Sequence, residues 1–244
     1  MSQFGILLTQ NCSWAELQTH ARKVEELGFN SLWVADSFAN PFIETEWLEG
    51  WTTLAGLSQA TQSIRIGTLV TNIVYRHPAI IAKQAITVDH MSNGRLELGL
   101  GAGGVPTDHS MTGTPMWTGK ERQARFAEFV TVVNKLLTQE TSSFSGEYYS
   151  FEDAYVSPPP HQQPILPLVI AAHGPKSMRL AARYASKWSF SDPGLGRKGK
   201  EAAAAIREMN NYLDDQLRSV GRNPEEITRS LCCGYCAATM WSSL

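Results

Sequence analysis

The hydrophobic period of this chain switches repeatedly between that of a strand and that of a helix, and few folds accommodate such an alternation. The apolar run "FGILL" (4–8) is followed by "SWAELQTHARKVEELG", with apolar residues at 14, 17, 21, 24 and 27. "SLWVADS" (31–37) then precedes a helical pattern around 46–59 carrying Trp47, Leu48, Trp51, Leu54 and Ala55. "IRIGTLVT" (64–71) precedes "PAIIAKQAITVDHMS", and "RLELGLGAGG" (95–104) precedes a helix over 120–138 with Phe126, Phe129, Val130, Val133, Leu136 and Leu137 on one face. Helices between successive strands imply a parallel sheet, because only a long crossover returns the chain to start a parallel neighbour. Local signals agree with the period. Ser13 and Glu16 have capping-box spacing, Gly28 stands where a helix end favours a left-handed residue, Pro78 opens a helix, and Asn93-Gly94 marks a turn.

"ILPLVIAA" (165–172), "KWSFSD" (187–192) and "TRSLCCGY" (228–235) read as strands five to seven, with a long helix near 200–219. The aromatic, proline-rich stretch at about 144–164 is expected to be an irregular excursion over one end. A length of 244 residues suits a single α/β domain over 1–244, a TIM (β/α)8-type barrel. With seven strands counted, the barrel is one βα unit short and the chain reads as cut at "MWSSL".

The 21 basic and 23 acidic residues give a net charge of -2, with no basic run longer than "GRKGK" (196–200). This argues against a nucleic-acid groove or an anionic-membrane surface. The N-terminus lacks a signal-peptide pattern and no apolar stretch approaches a membrane span, so a cytoplasmic location is expected. Cys232, Cys233 and Cys236 form only half of a zinc pattern and read as strand thiols; no metal site is expected.

In parallel barrels the chemistry lies where strands give way to βα loops. Those ends are Asp36 and Ser37; Thr68, Leu69, Val70, Thr71 and Asn72; Gly101, Ala102, Gly103 and Gly104; His173, Gly174, Pro175, Lys176 and Ser177; and Ser191 and Asp192. "GLGAGG" admits two readings, close approach of a flat ligand or tight packing between strands. Its glycines fall at 99, 101, 103 and 104 and miss the dinucleotide fingerprint. "GPKS" (174–177) places a proline and free N–H groups at a helix start, an arrangement that attracts an anion.

The blocks "SLWVADSF", "IGTLVTNIVYRHPAIIAKQAITVDHMSNGRLELGLGAGG" and "AAHGPKSMRLAARYA" together resemble the luciferase-like monooxygenase family, in particular its coenzyme F-420 (8-hydroxy-5-deazaflavin, F420) dependent oxidoreductases. The resemblance implies a tricyclic ring at the barrel mouth and a non-prolyl cis peptide near Thr68–Val70. It also implies ring contacts from Asp36, Thr68–Asn72 and Gly101–Gly103, and a phosphate held at His173–Ser177. The expected reaction is hydride transfer between F-420 and a small organic substrate. The alternatives are a reduced-FMN-dependent monooxygenase and a truncated, non-catalytic paralogue. The sugar-phosphate dehydrogenases of the family carry a histidine where this chain has Ser37 and a glutamate where it has Gly104, which argues against their substrate. Asp36 and His109, the latter in "PTDHSMTG", are the candidate catalytic groups. A homodimer is a further expectation, since an open barrel would expose strand edges.

Overall fold

The computed structural model describes residues 3–41, 43–191 and 200–232. Its elements in chain order are β1 (Gly5–Leu8), α1 (Trp14–Glu26), β2 (Ser31–Val34), α2 (Gly50–Ala60), β3 (Arg65–Thr68), β4 (Thr71–Asn72), α3 (Pro78–Met91), β5 (Leu96–Gly101), α4 (Pro106–Thr112) and α5 (Gly119–Thr138). Then follow β6 (Thr141–Ser145), β7 (Ser150–Tyr155), β8 (Leu168–Ala171), α6 (Pro175–Tyr184), β9 (Lys187–Ser191), α7 (Lys200–Ser219), a 3-10 turn (Pro224–Glu226) and β10 (Thr228–Cys232). The chain divides into two compact units, residues 1–169 and 170–244.

In the first unit β1, β2, β3 and β5 pair in parallel, with Gly5 opposite Ser31, Ser31 opposite Arg65 and Ile66 opposite Leu96. All six residues of β5 are buried, as expected for a strand covered on both faces. The expected third strand is broken. β3 stops at Thr68, a cis peptide joins Leu69 to Val70, and β4 resumes against β5 with Thr71 opposite Leu100. In the second unit β9 and β10 pair in parallel, Lys187 opposite Thr228, and α6 and α7 lie against each other.

Several sequence expectations meet their cause directly. Ser13 Oγ accepts from Glu16 N–H at 3.3 Å while Glu16 Oε2 accepts from Ser13 N–H at 3.0 Å, and Gly28 has φ +79°. Two expectations change. Residues 141–155 form an antiparallel hairpin, β6 with β7, so the excursion is regular up to Tyr155; beyond it Ser157-Pro158 and Gln163-Pro164 are cis. The segment after β5 contains the short helix α4, which sequence periodicity did not reveal because seven residues span barely two turns. Residues 233–235 of the last expected strand, with Cys233 and Cys236, and Asp192 lie outside the described residues.

Glu25 holds the turn between α2 and β3. Its carboxylate accepts from the N–H groups of Gln62, Ser63 and Ile64 and from the Ser63 hydroxyl. Partial burial raises its pKa, but the hydrogen bonds outweigh burial and leave it below the usual carboxylate value. A depressed folded-state pKa contributes stability above the ordinary glutamate range that is lost as pH falls through that range towards the folded value. Glu25→Gln should therefore unfold more readily than the parent at neutral pH, and the difference should shrink in acid. Urea midpoints at both pH values check this.

Candidate active site

The site in the first unit is built around the break between β3 and β4. Trp51 Nε1–H donates to Thr71 Oγ1 at 3.2 Å, the two threonine hydroxyls lie 2.7 Å apart, and Thr68 Oγ1–H donates to the Gly99 carbonyl at 3.1 Å. An indole can only donate and a carbonyl can only accept, so the ends fix the direction: Thr71 donates to Thr68. Thr68 and Thr71 are fully buried, and this chain of bonds secures both sides of the cis bond. Leu69 and Val70 between them are half-buried, and so are Ala102 and Gly103 past the end of β5.

The glycines of "GLGAGG" divide by role. A Cβ on Gly99 would lie 1.8 Å from the Thr68 carbonyl oxygen, and one on Gly101 would lie 2.2 Å from Val70 Cγ2. These two positions are glycine because β5 passes directly behind the break. Gly103 differs, with φ +65° and space limited by Asn72 Oδ1 and Val74 Cγ2. Close packing thus explains Gly99 and Gly101, while Ala102 and Gly103 retain a surface that a ligand can reach.

Asp36, just past β2, is 3% exposed. Its carboxylate accepts from Arg76 Nε at 2.7 Å and Nη2 at 2.5 Å, and from the Asn72 N–H at 3.0 Å. Tyr75 Oη–H donates to the Asp36 carbonyl at 2.7 Å. Arg76 Nη2 also donates to Glu49, whose carboxylate caps α2 through Trp51 and Thr52 N–H. Burial pushes the Asp36 carboxyl above the usual range, against the pull of Arg76 and Asn72. Burial likewise opposes charge on Arg76, but hydrogen bonds and charges from Asp36 and Glu49 prevail and hold its pKa above the ordinary value. Asp36 therefore acts on the site through the backbone it fixes, immediately after the cis bond.

Asn72 is held at both ends of its side-chain amide. Its Nδ2 donates to Asp108 Oδ2 at 2.5 Å and its Oδ1 accepts from Val74 N–H at 3.0 Å. Asp108, fully buried on α4, also accepts from Phe38 N–H at 2.8 Å, so it joins the loops after β2, β4 and β5. Burial, with the nearby Asp36 charge, raises its pKa despite these donors. Sequence reading singled out Asp36 and Asn72 but missed Arg76, Glu49 and Asp108. Three acids and an arginine within the βα loops were visible in the sequence, but their pairing depends on tertiary contact alone.

His109, next to Asp108, is 2% exposed. Its Nδ1 lies 3.0 Å from the Pro115 carbonyl and its ring meets Trp117 edge-on at 5.1 Å. Because the carbonyl only accepts, Nδ1 carries a proton; Nε2, an acceptor in the neutral ring, is buried and has no hydrogen-bond partner.

In the second unit Gly174 starts α6 with Pro175 in its first turn, and no side chain caps it. Gly174, Pro175 and Lys176 are exposed. Ser177 is buried and its hydroxyl donates to the Gly174 carbonyl at 3.0 Å. His173 Nε2 accepts from the Ser191 N–H at 3.1 Å, and as an acceptor it also takes a hydrogen bond donated by the Ser191 hydroxyl at 2.9 Å. His173 thus ties the end of β8 to the end of β9, and the first N–H groups of α6 have no side-chain cap.

Residues 1–238 match the model of the family described as luciferase-like monooxygenase. An F420-dependent glucose-6-phosphate dehydrogenase of Amycolatopsis mediterranei (strain U-32) is 34% identical over 220 residues, 88% of this chain and 63% of its own length. A 4-hydroxyprotoasukamycin monooxygenase of Streptomyces nodosus subsp. asukaensis is 31% identical over 229 residues, 89% of this chain and 58% of its own length. Among solved structures, an F420-dependent secondary alcohol dehydrogenase in complex with an F420-acetone adduct superposes with TM-score 0.82 at 24% identity, covering 94% of this chain and 68% of its own. The chain spans about three fifths of the length of these curated relatives. The shared fold is the α/β fold of the TIM-barrel type. Among the described residues no helix is long and apolar enough to cross a membrane.

Proposed function

Because the chain belongs to the luciferase-like monooxygenase family, we propose that it is an oxidoreductase that passes hydride between a bound deazaflavin, coenzyme F-420, and a small organic substrate. The observation that carries this reading is the half-exposed surface of Leu69, Val70, Ala102 and Gly103, backed by a bonded threonine pair and two glycines that admit nothing larger. A flat ring can lie against such a surface, and the residues present fit it. F-420, when bound, supplies the hydride chemistry; the protein supplies position and exclusion of water. Thr68, Thr71, Asn72, Gly101 and Asp36 set the backbone behind the ring, and Leu69, Val70, Ala102 and Gly103 touch it. Gly174, Pro175, Lys176 and Ser177 are assigned to the cofactor phosphate, with His173 fixing their approach. His109 is assigned the proton. The same reading takes residues 1–244 as one catalytic domain working in the cytoplasm, with a homodimer as the assembly that sedimentation would test.

A second reading, a reduced-FMN-dependent monooxygenase, draws support from the relative named a monooxygenase. Both cofactors offer a phosphate and a tricyclic ring, and an apolar surface with backbone edges accepts either. Titration of the purified protein with oxidised F-420 and with FMN, following ligand fluorescence, separates them. F-420 should bind more tightly, and Lys176→Ala should weaken it by about tenfold, the usual effect of one charge-assisted contact. Preference for FMN would favour the monooxygenase. An unchanged affinity in Lys176→Ala would remove the phosphate assignment.

A further inference from the structure

We propose that Arg122 is a substrate-binding residue of this site and that it selects a small organic substrate carrying one carboxylate. The proposal rests on the oxidoreductase reading and adds the substrate's chemical class and the side chain that recognises it. Gly104 shows where the guanidinium lies. A Cβ built on that residue would stand 3.3 Å from Arg122 Nη1 and 3.8 Å from Cζ, so the planar head of Arg122 rests against the Gly104 backbone. Gly104 directly follows Ala102 and Gly103, the part of the ring surface that lies past β5, so the charge stands one residue from that surface.

Three cations stand in the first two turns of α5, and they differ in what answers them. Lys120 is exposed to solvent. The Arg125 guanidinium is paired with Glu121 at 2.9 Å and lies over the Trp117 and Tyr148 rings at 4.7 and 4.2 Å. Arg122 is half-buried and, among the described residues, its side chain makes no hydrogen bond or ion pair. The acids of the neighbouring βα loops are engaged elsewhere. Asp108, fully buried, accepts from Phe38 N–H and Asn72 Nδ2, while Asp36 and Glu49 share Arg76. A guanidinium cannot shed its proton to escape partial enclosure, so it calls for an anion from outside the chain.

The surrounding charge limits that anion to a single negative charge. The two carboxylates on Arg76 already exceed it by one, and Asp108 stands on the same loops. A carboxylate matches Arg122 charge for charge and meets its fork with two oxygens, whereas a phosphate dianion would bring a second charge with no enclosed cation to face it. The body of the substrate is apolar. Phe38, Met111 and Met116, on the segments after β2 and β5 that the Phe38 N–H bond to Asp108 joins, are each more than half exposed. Benzoate is a simple molecule of this description.

The test is modification of arginines by phenylglyoxal, read site by site by mass spectrometry on the full chain, first without cofactor and then with F-420. Arg122 should react faster than the paired Arg76, and saturating benzoate should slow it by about tenfold, the usual worth of one charge-assisted contact. Benzyl alcohol, the same ring without the charge, should leave the rate unchanged. Arg22, exposed on α1, should react equally throughout and serves as the internal standard. Gly104→Glu should slow Arg122 with no benzoate present, because its carboxylate comes within reach of Nη1, and Gly104→Gln, of the same size, should not. Both variants should fold, since the new Cβ meets only the end of a flexible side chain. Equal Arg122 rates with and without benzoate, or equal slowing by benzyl alcohol, would overturn the proposal. If F-420 alone slows Arg122 as far as benzoate does and benzoate then adds nothing, the guanidinium serves an anionic group of the cofactor and the substrate assignment falls. The first arm contains no cofactor, so failure of F-420 to bind, which would sink the oxidoreductase reading, is recognised separately.

Discussion

Arg76→Ala should destabilise the protein by about 3–5 kcal/mol, the usual cost of removing one partner from a buried ion pair. The loss is large because the Asp36 carboxylate is 3% exposed and, among the described residues, is paired with Arg76 alone, which supplies two of its hydrogen bonds at 2.7 and 2.5 Å. Glu49 would lose the same partner, adding a second acid beside the first. Arg76→Lys should recover only part of the loss, since an ammonium cannot reproduce the two-pronged contact. The double variant Asp36→Asn with Arg76→Ala should be more stable than Arg76→Ala alone, because the uncompensated charge goes with the carboxylate. Urea unfolding of the three variants checks the order. A loss below about 1 kcal/mol in Arg76→Ala would mean that the pair behaves as a solvent-exposed one.

Gly99→Ala is the second large effect, and it links the fold to the site. The added Cβ would lie 1.8 Å from the Thr68 carbonyl oxygen, a backbone atom next to the cis bond. Overpacking costs about 1–3 kcal/mol where side chains can move. Here β3 itself must shift, so the cost should reach or exceed the top of that range. Displacing Thr68 also disturbs its bond to Gly99 and its contact with Thr71, so cofactor affinity should fall along with stability. Gly119→Ala is the matched control. A Cβ there meets nothing within 4 Å, and helix propensity in the first turn of α5 should leave stability within about 1 kcal/mol of the parent. Thermal melts and F-420 titrations of the two alanine variants report both properties.

The alternation of strands and helices was legible because helices such as α1 and α5 bury one face at helical spacing while the strands are short runs, β5 being buried along its whole length. Caps were legible for the same local reason: Ser13, Gly28 and Pro78 act on backbone groups within four residues of themselves. The break after β3 was expected near Thr68–Val70 from family resemblance, and the cis bond at Leu69-Val70 bears that out. Composition did not point to it, since nothing in "GTLVT" marks a break. The hairpin of β6 and β7 went unread because its aromatics, Tyr148, Tyr149 and Phe151, follow no strict alternation and Gly146 takes up the turn. The charged network escaped for a different reason. Asp36 and Arg76 are 40 residues apart, and Asn72 and Asp108 are 36 apart, so no window of sequence contains either pair. "GLGAGG" held two roles in one motif. Only the tertiary contact of β5 with the break separates Gly99 and Gly101, which are packed against Thr68 and Val70, from Ala102 and Gly103, which stay half-buried.

The central claim is that a flat cofactor ring lies against Leu69, Val70, Ala102 and Gly103. The most direct test is F-420 titration of the parent protein and of Ala102→Trp, whose indole would occupy that surface from a half-exposed position without entering the core. The account predicts saturable binding by the parent and its loss in the variant, with unfolding midpoints that coincide. Equal binding by a folded Ala102→Trp would place the ring elsewhere and contradict the account.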